Sequence, residues 1–147
     1  MQALKDKGVY TVTEEMRQNM EDFYGGYADD NMTKLTIKKV YEEEGYLMDT
    51  HTAVAYSVYE QYVADTQDET PTVIVSTASP YKFTSSVMTA LSDKYEGIDD
   101  FTLLEEMKNI QKGYMPKAME AIATRPVKHK TVCEVSEMPQ MVRNFLV

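Results

Sequence analysis

Apolar residues recur at intervals of three and four along most of this chain, and run unbroken only briefly. Thr13 is placed to cap a helix carrying Met16, Met20 and Phe23, after a short strand or extended entry from Gly8 to Thr13. Tyr24-Gly25-Gly26-Tyr27 breaks that helix. A second opens at Asp30 or Asn31, with Met32, Leu35, Ile37, Val40 and Tyr41 on its apolar side, and ends at Gly45. Asp49 is the cap expected for a third helix from Thr50 to about Ala64, in which Val54, Ala55, Val58, Tyr59 and Tyr62 recur. Beyond residue 92, Leu103, Met107 and Ile110 mark a helix closed by Gly113; a short helix follows Pro116, and Ser136 begins a last one with Met141, Val142 and Phe145.

Two stretches read differently. Val73-Ile74-Val75 is a β-branched run of the kind found in a parallel strand covered on both faces. It leads into Ser79 as an N-cap and Pro80 as a first helical residue, with Phe83, Val87, Met88 and Leu91 forming a stripe beyond. Ligands bind at such strand-to-helix junctions, so the free amides with Thr77, Ser79 and Lys82 are expected to converge on one anionic group. Val127 to Val135, with Lys128, Lys130 and Glu134, reads as a part-exposed edge strand. The fold class that follows is α/β, helix-rich, with few and mostly parallel strands flanked by helices. Two or three strands are a poor foundation for a doubly wound sheet, which points to completion by another chain or segment.

At 147 residues and 43% hydrophobic content, the chain is long enough for one modest core. Its net charge of -9 argues against phosphate-backbone binding, so nucleic acid is not an expected partner. Cys133 stands alone, which fits a reducing cytoplasm, and reads as a small buried side chain. No apolar run approaches a membrane span, and the N-terminus carries no basic-then-apolar leader pattern. Eleven methionines and eleven tyrosines scatter along the chain as core filling and amphipathic surface, and Glu42-Glu43-Glu44 reads as a solvated face. His51 beside Asp49 suggests an acid–base or metal pair, although a hydrogen-bonded structural histidine is the commoner outcome; His129 receives no role.

Gly45-Tyr46-Leu47-Met48-Asp49-Thr50-His51-Thr52-Ala53-Val54-Ala55 and Ser76-Thr77-Ala78-Ser79-Pro80-Tyr81-Lys82-Phe83 together resemble the C-terminal region of the threonine synthase family in content, order and separation. Gly8-Val9-Tyr10-Thr11-Val12 and Phe23-Tyr24-Gly25-Gly26-Tyr27-Ala28-Asp29 look like the stretch preceding that region. The resemblance is specific from about Gly8 to Leu91 and loose after Asp93. Thr50 stands where the family commonly has proline, a change that a first helical position tolerates.

The resemblance implies a piece of a fold-type II pyridoxal-phosphate enzyme, like the tryptophan synthase β chain, that converts O-phosphohomoserine and water into threonine and phosphate. Residues 1–147 would be a single domain or fragment, roughly the last third of such an enzyme. The family's Schiff-base lysine motif and cofactor-phosphate loop precede this region, and none of Lys34, Lys38, Lys39, Lys82 or Lys94 has a comparable context. The chain alone is therefore expected neither to hold the cofactor covalently nor to turn over substrate. Thr77 matches the position whose hydroxyl meets the cofactor's pyridine nitrogen; Lys82, Ser79, His51 and Thr52 are second-line substrate-side residues. The implied partner is an N-terminal half bearing the lysine, from the same gene or a separate chain, and an exposed sheet edge would favour self-association. The rival expectation is a stand-alone, non-catalytic acidic module that binds a protein or a small anion.

Overall fold

The computed structural model describes residues 2–122 and 124–146. In chain order the helices are α1 (Gln2–Lys7), α2 (Glu14–Gln18), α3 (Asp30–Glu44), α4 (Thr50–Thr66), α5 (Thr84–Leu91), α6 (Asp100–Ile110), α7 (Lys117–Glu120) and α8 (Met138–Phe145). Single 3-10 turns occupy Pro80–Lys82, Asp93–Tyr95 and Val135–Glu137. The chain divides into two compact units, one ending at Tyr114 and the other beginning at Met115.

The α/β expectation is overturned: among the described residues there is no strand. Gly8 to Thr13, Thr72 to Val75 and Val127 to Val132 are all irregular. A strand exists only as one side of a hydrogen-bonded pair, and none of these segments finds a second side. The exposure of their valines agrees, at 85% for Val73 and 93% for Val132. The helices bury their apolar stripes against one another instead.

In the first unit α3 packs against α4 and α5, and α5 against α6. Ile37 and Val40 from α3, Ala53 from α4, Val87 and Met88 from α5, and Leu103 and Met107 from α6 make the buried centre. Each large apolar side chain there contributes about 1.5–3 kcal/mol. The buried side of α3 also carries Thr33 and Thr36, while Leu35 and Met32 are exposed. The threonine hydroxyls donate back to the carbonyls of Asp29 (2.7 Å) and Met32 (2.9 Å), so only their methyl groups meet the interior. Methionine is divided by depth, with Met48, Met88 and Met107 buried and Met16, Met20, Met32 and Met138 at the surface.

Helices α2, α3, α4 and α6 each start on a side-chain cap. Thr13 accepts the Met16 amide at 3.2 Å, Asp29 the Met32 amide at 2.8 Å and Asp99 those of Phe101 and Thr102 at 3.1 Å. Gly45 ends α3 in the left-handed region, φ 68°. Helix α2 stops at Gln18, short of the predicted reach to Phe23.

The segment between α2 and α3 lies across α4. Gln61 Nε2 donates to the Tyr27 carbonyl at 3.0 Å, and Gly26 faces Val58 so closely that an added Cβ would fall 2.7 Å from its Cγ1. Gly26→Val is expected to displace this segment and destabilise the unit by about 1–3 kcal/mol, readable as a lowered urea midpoint; an unchanged midpoint contradicts the close approach.

In the second unit the Glu134 amide donates to Glu137 Oε2 at 2.9 Å at the turn before α8. Cys133 is half-buried in an apolar groove with Met138, Met141, Val142 and Phe145. No helix among the described residues is long and apolar enough to cross a membrane.

Candidate functional site

Helix α4 begins on Asp49, whose side chain has no solvent exposure. Its Oδ1 accepts the His51 amide at 2.8 Å and the Thr52 amide at 3.3 Å, and its Oδ2 accepts the Thr52 hydroxyl. Burial alone would push this carboxyl up; the Thr52 hydroxyl and the two amides outweigh it and hold Asp49 below the usual carboxylate range. The buried anion is thus compensated by donors and by the positive end of a 17-residue helix.

The same threonine reaches onward. Thr52 Oγ1 lies 3.0 Å from Ser76 Oγ, and the rings of His51 and Phe83 are 4.9 Å apart at 50°. The loop from Ser76 to Phe83 is therefore fastened at both ends to consecutive residues in the first turn of α4. Within it, Ser79 accepts the Tyr81 amide at 3.4 Å and Pro80 opens a 3-10 turn, after which α5 starts at Thr84. The helix expected from Pro80 is thus delayed by one turn. Tyr81, 3% exposed, anchors the turn by donating its hydroxyl to the Tyr114 carbonyl.

Thr77 lies on this fastened loop, exposed and one residue beyond Ser76. Ser79 is half-buried and engaged with the backbone; Lys82 is exposed. Among the described residues no polar contact joins Thr77, Ser79 and Lys82. Thr52 is buried and is the hinge of the polar chain Asp49–Thr52–Ser76. His51 is exposed, with Nδ1 3.4 Å from both Asp49 Oδ1 and Thr50 Oγ1. Among the described residues no group of three or more metal-ligating side chains gathers round it or elsewhere.

Beside the loop, an open cavity of about 630 Å³ runs between the first turns of α3 and α4, lined by Asp30, Thr33, Lys34, Thr50, His51 and Ser86 among others. Sequence reasoning read Asp49 as a cap and as the neighbour of His51, and gave Ser76 no side-chain role of its own. The Asp-x-x-Thr spacing at 49–52 was the available signal for the first, because a capping carboxylate has a second oxygen left to hold. Nothing in the sequence pattern announced that Ser76 would be its distant partner.

This geometry coincides with the part of the chain that known proteins share. The family described as "Threonine synthase, C-terminal" matches residues 52–145. The chain is 29% identical to the threonine synthase of Saccharomyces cerevisiae over 137 residues, covering 89% of this chain and 24% of that protein. It is 36% identical to the threonine synthase of Schizosaccharomyces pombe over 94 residues, covering 63% of this chain and 18% of that protein. The chain thus spans about a quarter or less of the length of these relatives. With the matched region extending from the hinge residue Thr52 through the fastened loop to the last helix, the chain belongs to the threonine synthase family, in its C-terminal region.

Proposed function

We propose that this chain forms the C-terminal wall of a threonine synthase active site, in a pyridoxal-phosphate enzyme that converts O-phosphohomoserine and water into threonine and phosphate. The observation that carries the reading is the fastening of loop 76–83 to α4, because it holds an exposed hydroxyl, Thr77, on a segment pinned at both ends. Pinning limits the entropy that a ligand contact on this loop must overcome.

The donor set fits one part of the cofactor. A neutral hydroxyl at Thr77 suits a pyridine nitrogen that stays unprotonated, and Ser79 and Lys82 on the same loop, with His51 and Thr52 in the first turn of α4, are the proposed substrate-side residues. Bound, the cofactor supplies an electron sink. The covalent lysine and the cofactor-phosphate loop belong to the N-terminal half, so this chain alone neither holds the cofactor covalently nor releases phosphate. The irregular stretch 71–77, with Val73 and Val75 exposed, is the surface that half would cover, or a second copy in its absence. The expected setting is cytoplasmic.

The test joins this chain to the N-terminal three quarters of the S. cerevisiae relative and measures phosphate release from O-phosphohomoserine, with the chain alone as control. The fusion is expected to turn over and the isolated chain not. Thr77→Asp in the fusion should shift the visible band of bound cofactor and lower kcat on the order of tenfold, the effect of about 1.4 kcal/mol on the barrier. A folded, cofactor-loaded fusion without phosphate release overturns the functional reading. A Thr77→Asp protein with unchanged band and rate overturns the role of Thr77.

A further inference from the structure

Further along α4, an open groove of about 730 Å³ is lined by Phe23 and Tyr24 from one side and Tyr59 and Tyr62 from the other, with Glu21 and Asp22 also in its lining. The rings are ordered against each other: Tyr24 and Tyr62 meet edge to face, 5.2 Å between centroids and 70° between planes. Their hydroxyls are turned away into hydrogen bonds, Tyr24 to Asp65 Oδ2 at 2.5 Å and Tyr62 to Asp68 Oδ2 at 2.6 Å. Phe23 is 76% exposed and Tyr24 43%, so these rings also offer surface to solvent. Among the described residues no lysine or arginine lines the groove.

We propose that this groove binds the guanidinium group of an arginine carried on a basic protein segment. Aromatic faces present negative potential that attracts a cation, and the Glu21 and Asp22 carboxylates in the same lining add a Coulomb attraction of their own. Hydrogen bonding to Asp65 raises the Tyr24 phenol above its ordinary value, and bonding to Asp68 does the same for Tyr62, so both rings stay neutral. Asp68 is itself held down to about 2, first by the Thr70 hydroxyl and then by Tyr62, and remains an anion behind the rings. Guanidinium is favoured over ammonium because its plane stacks on a tyrosine face while its edge meets the Glu21 and Asp22 carboxylates in pairs. The net charge of -9 steers a basic segment toward the surface. The groove lies apart from loop 76–83, and the proposal stands independently of the catalytic reading.

The experiment is a titration of the whole chain, its tyrosine rings isotope-labelled, with a blocked glycine peptide carrying two arginines, beside versions with citrulline or lysine. Saturable shifts of Tyr24, Tyr59 and Tyr62 are expected, with binding roughly tenfold weaker for citrulline and several-fold weaker for lysine. Tyr59→Leu, whose folding is checked by circular dichroism, should weaken the arginine peptide by a similar factor. Glu21→Gln with Asp22→Asn keeps every ring and should flatten the salt dependence. Equal affinity for citrulline overturns the cation site, equal affinity for lysine overturns the guanidinium assignment, and absence of saturable tyrosine shifts overturns both.

Discussion

Asp49→Ala is expected to lower the unfolding free energy of the first unit by about 2–4 kcal/mol, the sum of a lost helix cap and of a Thr52 hydroxyl left without its acceptor. The side chain is wholly buried and holds three donors, so no water replaces it without opening the start of α4. Asp49→Asn separates the contributions: one oxygen still accepts the two amides, but the amide nitrogen cannot accept from Thr52. It should lose about half as much. The sign with pH follows from the direction of the shift. The folded carboxyl titrates below its usual value, so its contribution is fully present above about pH 4 and is lost as pH falls through the lowered value. Urea midpoints at neutral pH and near pH 3 check this: the natural chain should lose more on acidification than Asp49→Asn. An equal loss in both would assign the acid sensitivity elsewhere. The same substitution should also free Ser76, and with it the mounting of Thr77.

Ile37→Ala is expected to cost about 2–5 kcal/mol, because a side chain with no exposure leaves a cavity on the helix that packs against both α4 and α5. For a unit of this size that corresponds to a fall in Tm of roughly 10 °C or more. Leu35→Ala, two residues away on the exposed side of the same helix, should move Tm by no more than a few degrees. A reversal of that order, measured by thermal circular dichroism, would mean that α3 presents a different face to its neighbours.

That pair of substitutions also marks where sequence reasoning succeeds and where it stops. Caps are local: Thr13, Asp49 and Ser79 each bond amides two or three residues on, so their roles follow from a few neighbouring letters. The apolar stripe expected on α3 includes Met32 and Leu35, which are exposed, and omits Thr33 and Thr36, which are buried. A threonine whose hydroxyl is satisfied on its own helix behaves as a small apolar group, and four-residue hydropathy cannot report that. The predicted strands failed for a deeper reason. Val73-Ile74-Val75 has the composition of a buried strand, but pairing is a property of two segments, and among the described residues the second is lacking. Loop 76–83 stood out through its resemblance; its double attachment to residues 51 and 52 did not, because contacts spanning more than twenty positions leave no periodic trace.

The division of the methionines by depth gives the fold a built-in chemical clock. Peroxide converts accessible thioethers to sulfoxides first, so Met16, Met20, Met32 and Met138 act as sacrificial sites whose loss leaves the helix packing whole. Met48, Met88 and Met107 react only when the first unit opens, and each sulfoxide formed there puts a polar group where the helices meet. Mild oxidation is thus absorbed at the surface, and damage reaches the helix packing only at the rate at which the core breathes.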